Sequence, residues 1–534
     1  MAFIKSSFRF LLSLSLSLYQ ITASITPNSS PLVTLDYGIF QGVYSTSYNL
    51  THYRRIPFGA STAGPNRFRA PQPPLPVNGT YNTDRAFDMC PQRTVNGSED
   101  CLYLGLYSRP WDGKTLRPVL VTFYGGGFIQ GSASFTIPPS GFPVLNASQL
   151  NDYVVVYPNY RTNVFGFLAG AKLKGRTDVD FNPGLLDQQA ALKWVQKYIT
   201  RFGGDPANVT IWGQSAGGGS VVAQSIAKGN RGKGLFVKAM ASSPYWPKTY
   251  RFDAPEIEEL YEQVVEAGGC KSKDDEIGCL KSVDVQLLRE ISLKISAEHT
   301  YSTSSYTWGP VVSDGFLAES LSEVVRSGKL NVEMVMGSYN LHEGENFIPP
   351  GLASASGSGG FNSSTASFET MLKLFLPGFG ENEVNEVKRL YPEMGTAEEI
   401  QWNTTYERAG MVYRDLVLAC PAYWTAKTAK KGWLIEYTIS PAKHASDTIY
   451  WNQVNAVQKS DTLIYEGYTG AMASFAQTGD PNAHKLTNVS TVGVPSVDEN
   501  RQFVVRKSRL ADVSISMLEK RCEFWLQQGS KIPV

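Results

Sequence analysis

Histidine is scarce in this chain, and its cysteines are scattered. The 534 residues contain five histidines, at 52, 299, 342, 444 and 484, and six cysteines, at 90, 101, 270, 279, 420 and 522. No two cysteines form a CxxC pair and none clusters with histidine, so a zinc site or other metal centre is not expected, and neither is a cofactor. Net charge is also nearly absent. The chain has 49 Lys and Arg against 48 Asp and Glu, a formal +1, with no long run of like charges. That balance argues against nucleic acid or an acidic membrane surface as partner. Beyond the N-terminus no stretch approaches the ~18 apolar residues of a membrane span, so stable membrane insertion is not expected either.

What is present is an ordinary globular mix, 42% hydrophobic and 18% charged, in a chain longer than the ~250–300 residues at which single cores usually stop growing. The N-terminus has the order of a secretory signal over residues 1–23. Lys5 and Arg9 are followed by a short Leu/Ser-rich core from Phe10 to Leu18 and by small residues near Ala23. A secreted, extracellular protein is therefore expected, and the even cysteine number then suggests three disulfides. Fifteen pairings are formally open. Cys90–Cys101 and Cys270–Cys279 read as local loop closures, which leaves Cys420–Cys522 to tie the C-terminal segment to the body. Nine N-x-S/T sequons, starting at Asn28, Asn49, Asn78, Asn96, Asn146, Asn208, Asn362, Asn403 and Asn488, suit a glycosylated surface.

Along the chain, Pro and Gly break up residues 57–79 into irregular extended backbone. Residues 117–124 and 153–157 are short, β-branched and bounded by breakers, as buried parallel strands are. Apolar residues from Leu185 to Ile199 recur at near-helical spacing. A strand is expected at Val209–Trp212, a tight turn at 213–219 and a helix from Ser220. The alternation points to the α/β class. The region around 250–430 is richer in helical periodicity, and residues 349–364 form a low-complexity loop. No repeat or clean linker appears. We read residues 24–534 as one catalytic domain with helical insertions around 250–430.

Gly213-Gln214-Ser215-Ala216-Gly217 fits G-x-S-x-G. A serine between a strand and a helix presents its hydroxyl only on a very sharp turn, which small neighbours permit. The helix that follows aims amide N–H groups at the site. Gly125-Gly126-Gly127 after a strand offers bare backbone that, with the Ala216 N–H, can bind an oxyanion. In this arrangement the order is serine, acid, histidine. His52 precedes the serine, His484 sits in a solvated turn and His299 follows a polar helical stretch. His444 lies in a loop beyond a strand, where catalytic residues of α/β sheets sit. The acid lies between Ser215 and His444. Glu343 and Asp314 both qualify, with Asp314 in an Asp-Gly turn.

These residues resemble the type-B carboxylesterase/lipase family, which includes cholinesterases and fungal lipases. The resemblance rests on Arg54 to Ala60 with Arg67-Phe68, on Glu99-Asp100-Cys101-Leu102-Tyr103-Leu104, on Asn159-Tyr160-Arg161 with Phe165 to Leu168, on Phe202 to Pro206 with Gly213 to Gly218, and on Ala476 to Asn482. It covers nearly the whole mature chain. The resemblance implies an α/β-hydrolase fold with a central, mostly parallel mixed sheet flanked by helices. It also implies ester hydrolysis by Ser215, Glu343 and His444, with oxyanion donors Gly126, Gly127 and Ala216. The six cysteines fall on a three-bridge pattern, and Arg67–Glu99 and Arg161–Asp187 on internal ion pairs. There are departures. Gln214 stands where glutamate is common, His342 replaces the aspartate before the acid, and Ser243-Pro244 replaces Ser-Gly, with Ser243 expected to buttress the acid.

The Cys90–Cys101 loop encloses only Pro91 to Asp100. It has no room for an amphipathic lid and lacks the tryptophan that binds choline by cation–π contact. The expected partner is therefore a soluble or modest-sized small-molecule ester. A triacylglycerol lipase or sterol esterase is the alternative, and a non-catalytic adhesion protein a distant one, since serine, glutamate, histidine and the glycine loop are all present. The oligomeric state is not legible.

Overall fold

The computed structural model describes residues 30–303, 307–348, 365–397, 399–484 and 492–534. The expected signal segment at 1–23 and the low-complexity loop at 349–364 lie outside them. An eleven-stranded mixed sheet dominates. In chain order its strands are β1 (Val43–Ser45), β2 (Leu50–Pro57), β3 (Tyr103–Ser108), β4 (Arg117–Phe123), β5 (Val154–Pro158), β6 (Gly204–Gln214), β7 (Lys238–Ser242), β8 (Met334–Asn340), β9 (Lys431–Tyr437), β10 (Arg501–Arg506) and β11 (Arg509–Ser514). Across the sheet they run β11-β10-β9-β8-β7-β6-β4-β5-β3-β2-β1. The seven strands from β10 to β5 are mutually parallel, and antiparallel pairs close both edges. This is the α/β-hydrolase fold.

Burial explains the central strands. Every residue of β5 (VVVYP) and β7 (KAMAS) is buried, as expected where helices cover both faces of a parallel sheet. Each fully buried Val or Leu there contributes roughly 1.5–3 kcal/mol. The covering helices include α1 (Pro183–Tyr198) and α2 (Ala216–Ile226). The second departs from its expected start at Ser220: it begins at Ala216, because the chain reverses within the single residue Ser215. All eleven residues of α2 are buried. Small residues over its first turns let it seat directly on the sheet.

Two helical excursions leave the sheet. Residues 243–333 carry α3 (Pro255–Ala267) and α4 (Val285–Thr303). Residues 341–430 carry α5 (Thr365–Phe375), α6 (Thr405–Arg414) and α7 (Cys420–Thr428), and the chain ends on α8 (Ser516–Gln527). One apolar core runs through the sheet and both excursions, from Leu35 to Val534. Disulfides join Cys90 to Cys101, Cys270 to Cys279 and Cys420 to Cys522, with Cα–Cα separations of 5.1, 5.6 and 5.2 Å. The last fixes α8 to α7. Arg67 meets Glu99 in a two-pronged pair, both contacts 2.7 Å, and Arg161 meets Asp187 at 2.7 and 2.8 Å. All four side chains are buried. Among the described residues no helix is long and apolar enough to cross a membrane.

Because β4, β6, β8 and β9 are parallel, their C-terminal ends lie along one edge of the sheet. The loops after those ends carry Gly125–Gly127, Ser215, Glu343 and His444.

Candidate active site

The turn at Ser215 sits between the end of β6 and the start of α2. Its backbone adopts φ 60° and ψ −128°, a strained region for a residue with a side chain, and one that accompanies function more often than packing. Glycine makes the turn possible. A Cβ on Gly217 would fall on the Phe123 carbonyl and one on Gly213 would fall on Gly217. The strained serine is held by its own backbone, its N–H donating to the Ser242 carbonyl at 3.0 Å and its carbonyl accepting from Tyr245 N–H at 2.9 Å.

The glycine loop after β4 lies against this turn. A Cβ on Gly125 would approach the Ser215 Cβ to 3.0 Å, and Gly126 and Gly127 hold φ values of 118° and 64°. The amides of Gly126, Gly127 and Ala216 donate no hydrogen bond among the described residues, so they are available for an anion. Sequence reasoning missed what braces this loop. Gln92, 1% exposed, accepts from the Gly131 N–H at 2.8 Å and donates to the Gly131 carbonyl at 2.8 Å. Its own carbonyl accepts from Arg289 Nε at 2.6 Å. The Cys90–Cys101 loop thus acts as a strut under the glycine loop. The shortness of this loop, ten residues between the two cysteines, is the sequence clue to it.

Glu343 follows β8 and is fully buried, while His444 follows β9 with its side chain 13% exposed. His444 Nδ1 lies 2.8 Å from Glu343 Oε2, and Glu343 Oε1 accepts from the Asn340 N–H at 3.0 Å. On the other side of the ring, His444 Nε2 is 3.3 Å from the Gln214 side-chain nitrogen. A carboxylate only accepts and an amide nitrogen only donates, so this arrangement puts the ring proton on Nδ1 and the lone pair on Nε2. Ser215, next in sequence to Gln214, is 9% exposed. Phe347 stands edge-on to the His444 ring at 5.0 Å and 70°, and Asn346 Oδ1 accepts from the His444 N–H at 2.9 Å. Both follow Glu343 by a few residues, so one segment supplies Glu343 and two further contacts to His444.

The remaining candidates fall elsewhere. Asp314 is on the surface, 3.3 Å from Lys174, both well exposed. His52 is buried on β2, 3.5 Å from Asp84. The His299 side chain lies outside the described residues. Ser243 does not hold the acid as expected: its buried hydroxyl has no hydrogen-bond partner among the described residues, and the second Glu343 oxygen is taken by backbone.

Two features shape the surroundings. A cavity of about 230 Å³ adjoins Gly125 and Gln214, lined among others by Ser132, Ser134, Tyr157, Thr448 and Trp451, and no lining residue is charged. On the other side, Tyr245, Phe347, Tyr413 and Phe375 form a continuous stack. Successive centroids lie 5.7, 4.9 and 5.2 Å apart and the rings are within 21° of parallel. Among the described residues no group of His, Cys, Asp and Glu could hold a metal ion.

The Carboxylesterase family profile matches residues 29–525. Two curated relatives are 28% identical. One is the carboxylesterase patB of Aspergillus clavatus, over 85% of this chain and 80% of that protein. The other is the carboxylesterase patB of Penicillium expansum, over 72% and 68%. Among solved structures, Aspergillus niger EstA superimposes with a TM-score of 0.81 at 24% identity, covering 95% of this chain and 99% of that one. A PNB esterase superimposes at 0.74 and 24%, covering 92% and 99%. These structural likenesses carry the fold.

Proposed function

We propose that this chain, which belongs to the carboxylesterase family and is a carboxylic ester hydrolase, works through Ser215, His444 and Glu343. Ser215 Oγ attacks the ester carbonyl carbon while His444 Nε2 takes its proton. Buried Glu343 keeps the imidazole in the required tautomer and stabilises the imidazolium. The carbonyl oxygen, now negative, accepts from the amides of Gly126, Gly127 and Ala216, each donor of this kind being worth roughly 3–4 kcal/mol. Collapse breaks the ester C–O bond. The alcohol leaves with the proton from His444, and the acyl group stays on Ser215. Water, deprotonated by His444, then attacks the acyl-serine and releases the acid. The observation that carries this reading is the 2.8 Å His444–Glu343 contact beside a serine in a strained strand-to-helix turn. Gln214 lies 3.3 Å from His444 Nε2, the nitrogen that takes the Ser215 proton in this reading.

The substrate class follows from the walls. The cavity beside Gln214, about 230 Å³ with no charged lining residue, suits an alcohol group of modest size. The stack of Tyr245, Phe347, Tyr413 and Phe375 beside His444 offers an apolar wall to the acyl group, and short and medium acyl esters are the expected substrates. The Cys90–Cys101 loop is held in place by the Gln92 contacts, which supports a site that needs no oil surface to open. The three disulfides suit an oxidising compartment and support a secreted enzyme. Tributyrin kinetics across its solubility limit test the substrate reading. A simple saturation curve through that limit is expected. A jump in rate only above it would put triacylglycerol lipase first.

A further inference from the structure

The residues that precede the acid and the base meet on a third carboxylate. His342 comes directly before Glu343 and Lys443 directly before His444. Glu345 lies between them, 8% exposed. One of its oxygens, Oε1, is 2.8 Å from His342 Nδ1, and the other pairs with the Lys443 ammonium. Its backbone carbonyl accepts from Tyr406 Oη at 2.7 Å, which ties it to α6. Around this centre the two turns are laced together. His342 N–H donates to the Ala442 carbonyl at 2.9 Å, and Asn340 Nδ2 donates to the Lys443 carbonyl at 2.9 Å.

We propose that Glu345 is a positioning residue for the Glu343–His444 pair, holding the acid turn to the base turn through His342 and Lys443 and offsetting the charge of Lys443, the residue next to His444 in sequence. The proposal rests on His444 being the general base. Burial alone would raise the Glu345 carboxyl, but hydrogen bonds from His342 and Lys443 outweigh it and hold it below the usual range. The ion pair with Lys443 thus favours the charged form of Glu345. Geometry and charge make different demands, so they can be separated.

The titratable and charged groups around His444 are few. Glu343 touches it, and Lys443 and Asp447 are on its own turn. His342 and Glu345 come from the acid turn. Tyr406, Tyr413 and the buried Arg414–Asp415 pair come from the helices behind. Lys443 is partly exposed and Glu345 is buried beside it, so each member of this pair can be exchanged while Glu343, Asp447 and the Arg414–Asp415 pair stay in place. Glu345→Gln keeps size and much of the hydrogen bonding but leaves Lys443 uncompensated. The imidazolium becomes less favourable, and the acid limb of kcat/KM moves to lower pH. Lys443→Met leaves Glu345 uncompensated and moves that limb to higher pH. Each shift should be about half a pH unit, reduced by solvent at Lys443. Glu345→Gln should also lower kcat by roughly 3–10-fold with KM little changed, since it loosens the reacting groups and not the pocket.

The experiment is the pH profile of kcat/KM for p-nitrophenyl acetate with wild type, both single variants and the double variant. Opposite shifts in the singles, returning to wild type in the double, are expected. Unmoved limbs, or shifts in one direction, would overturn the proposal. Lys443→Met changes a partly exposed side chain, so the arm that raises the limb decides the matter even if Glu345→Gln does not fold. A wild type without any acid limb would instead refute the general-base role of His444, a distinguishable failure.

Discussion

At the residue scale, the acid is the position that sequence alone left divided. Glu343 and Asp314 both lie between Ser215 and His444, and only the family resemblance separated them. The structure gives physical reasons for the choice. Glu343 is fully buried against His444, whereas Asp314 is an exposed partner of Lys174. Glu343→Gln leaves an amide that cannot stabilise the imidazolium, and it allows the wrong ring tautomer. By analogy with the loss of a triad carboxylate, kcat should fall by roughly 10³–10⁴-fold. Asp314→Asn removes only a screened surface charge, and kcat should stay within about twofold. Steady-state kinetics on a p-nitrophenyl ester check both, and the reverse ranking would reject Glu343. The supports of His444 were not legible. Asn346, Phe347 and Glu345 act by distance and orientation across two turns that are far apart in sequence, and no periodicity reports that.

At the scale of elements, strands and glycine turns were the readable part. Residues 117–124 and 153–157 became β4 and β5 within a residue or so, because short β-branched runs between breakers have few other places to go. The helix after Ser215 starts at Ala216, four residues before the expected Ser220, since a run of glycines reads as loop. It forms a helix because it is buried on every side and packing overrides propensity. The shortness of the Cys90–Cys101 loop is visible in the sequence, whereas its bracing of Gly131 depends on the Gln92 contacts, which only the fold brings together. A consequence can be measured. Gln92→Ala leaves both Gly131 backbone groups without their Gln92 partners, four residues past the glycine loop proposed to bind the oxyanion. On p-nitrophenyl butyrate kcat should drop about 10–100-fold with KM changed far less, as for loss of stabilisation felt mainly in the transition state. A rise in KM alone would mean that the loop shapes binding rather than the oxyanion site.

At the scale of the whole molecule, the C-terminal helix is bound to the body by two devices within two residues. Cys522 bonds to Cys420, and Arg521 reaches Asp415 at 2.6 Å. Asp415 is fully buried between Arg521 and Arg414, and Tyr391 donates to it at 2.8 Å. Burial by itself would raise the Asp415 carboxyl, but the two guanidiniums outweigh it and hold it below its usual range. A depressed carboxyl contributes stability that is present above its unfolded value near 3.9 and is lost as pH falls through the folded value. Acid should therefore weaken the attachment of the C-terminal helix below about pH 4. Asp415→Asn, which leaves two buried guanidiniums short of charge, should cost roughly 3–5 kcal/mol at pH 7. Urea unfolding at pH 7 and pH 3.5 checks this. The gap between wild type and variant should narrow at the lower pH, and an unchanged gap would contradict the assignment.

The central claim is that Ser215 carries the acyl group. Its most direct test is covalent. An electrophilic organophosphate ester such as diethyl p-nitrophenyl phosphate should transfer its phosphoryl group to an activated serine with loss of p-nitrophenolate. Peptide mapping by mass spectrometry then locates the added group. One label per chain is predicted, on the peptide containing Ser215, with ester hydrolysis lost in proportion to labelling. Stoichiometric loss of activity with the label on any other residue, or full activity with Ser215 labelled, would contradict the account.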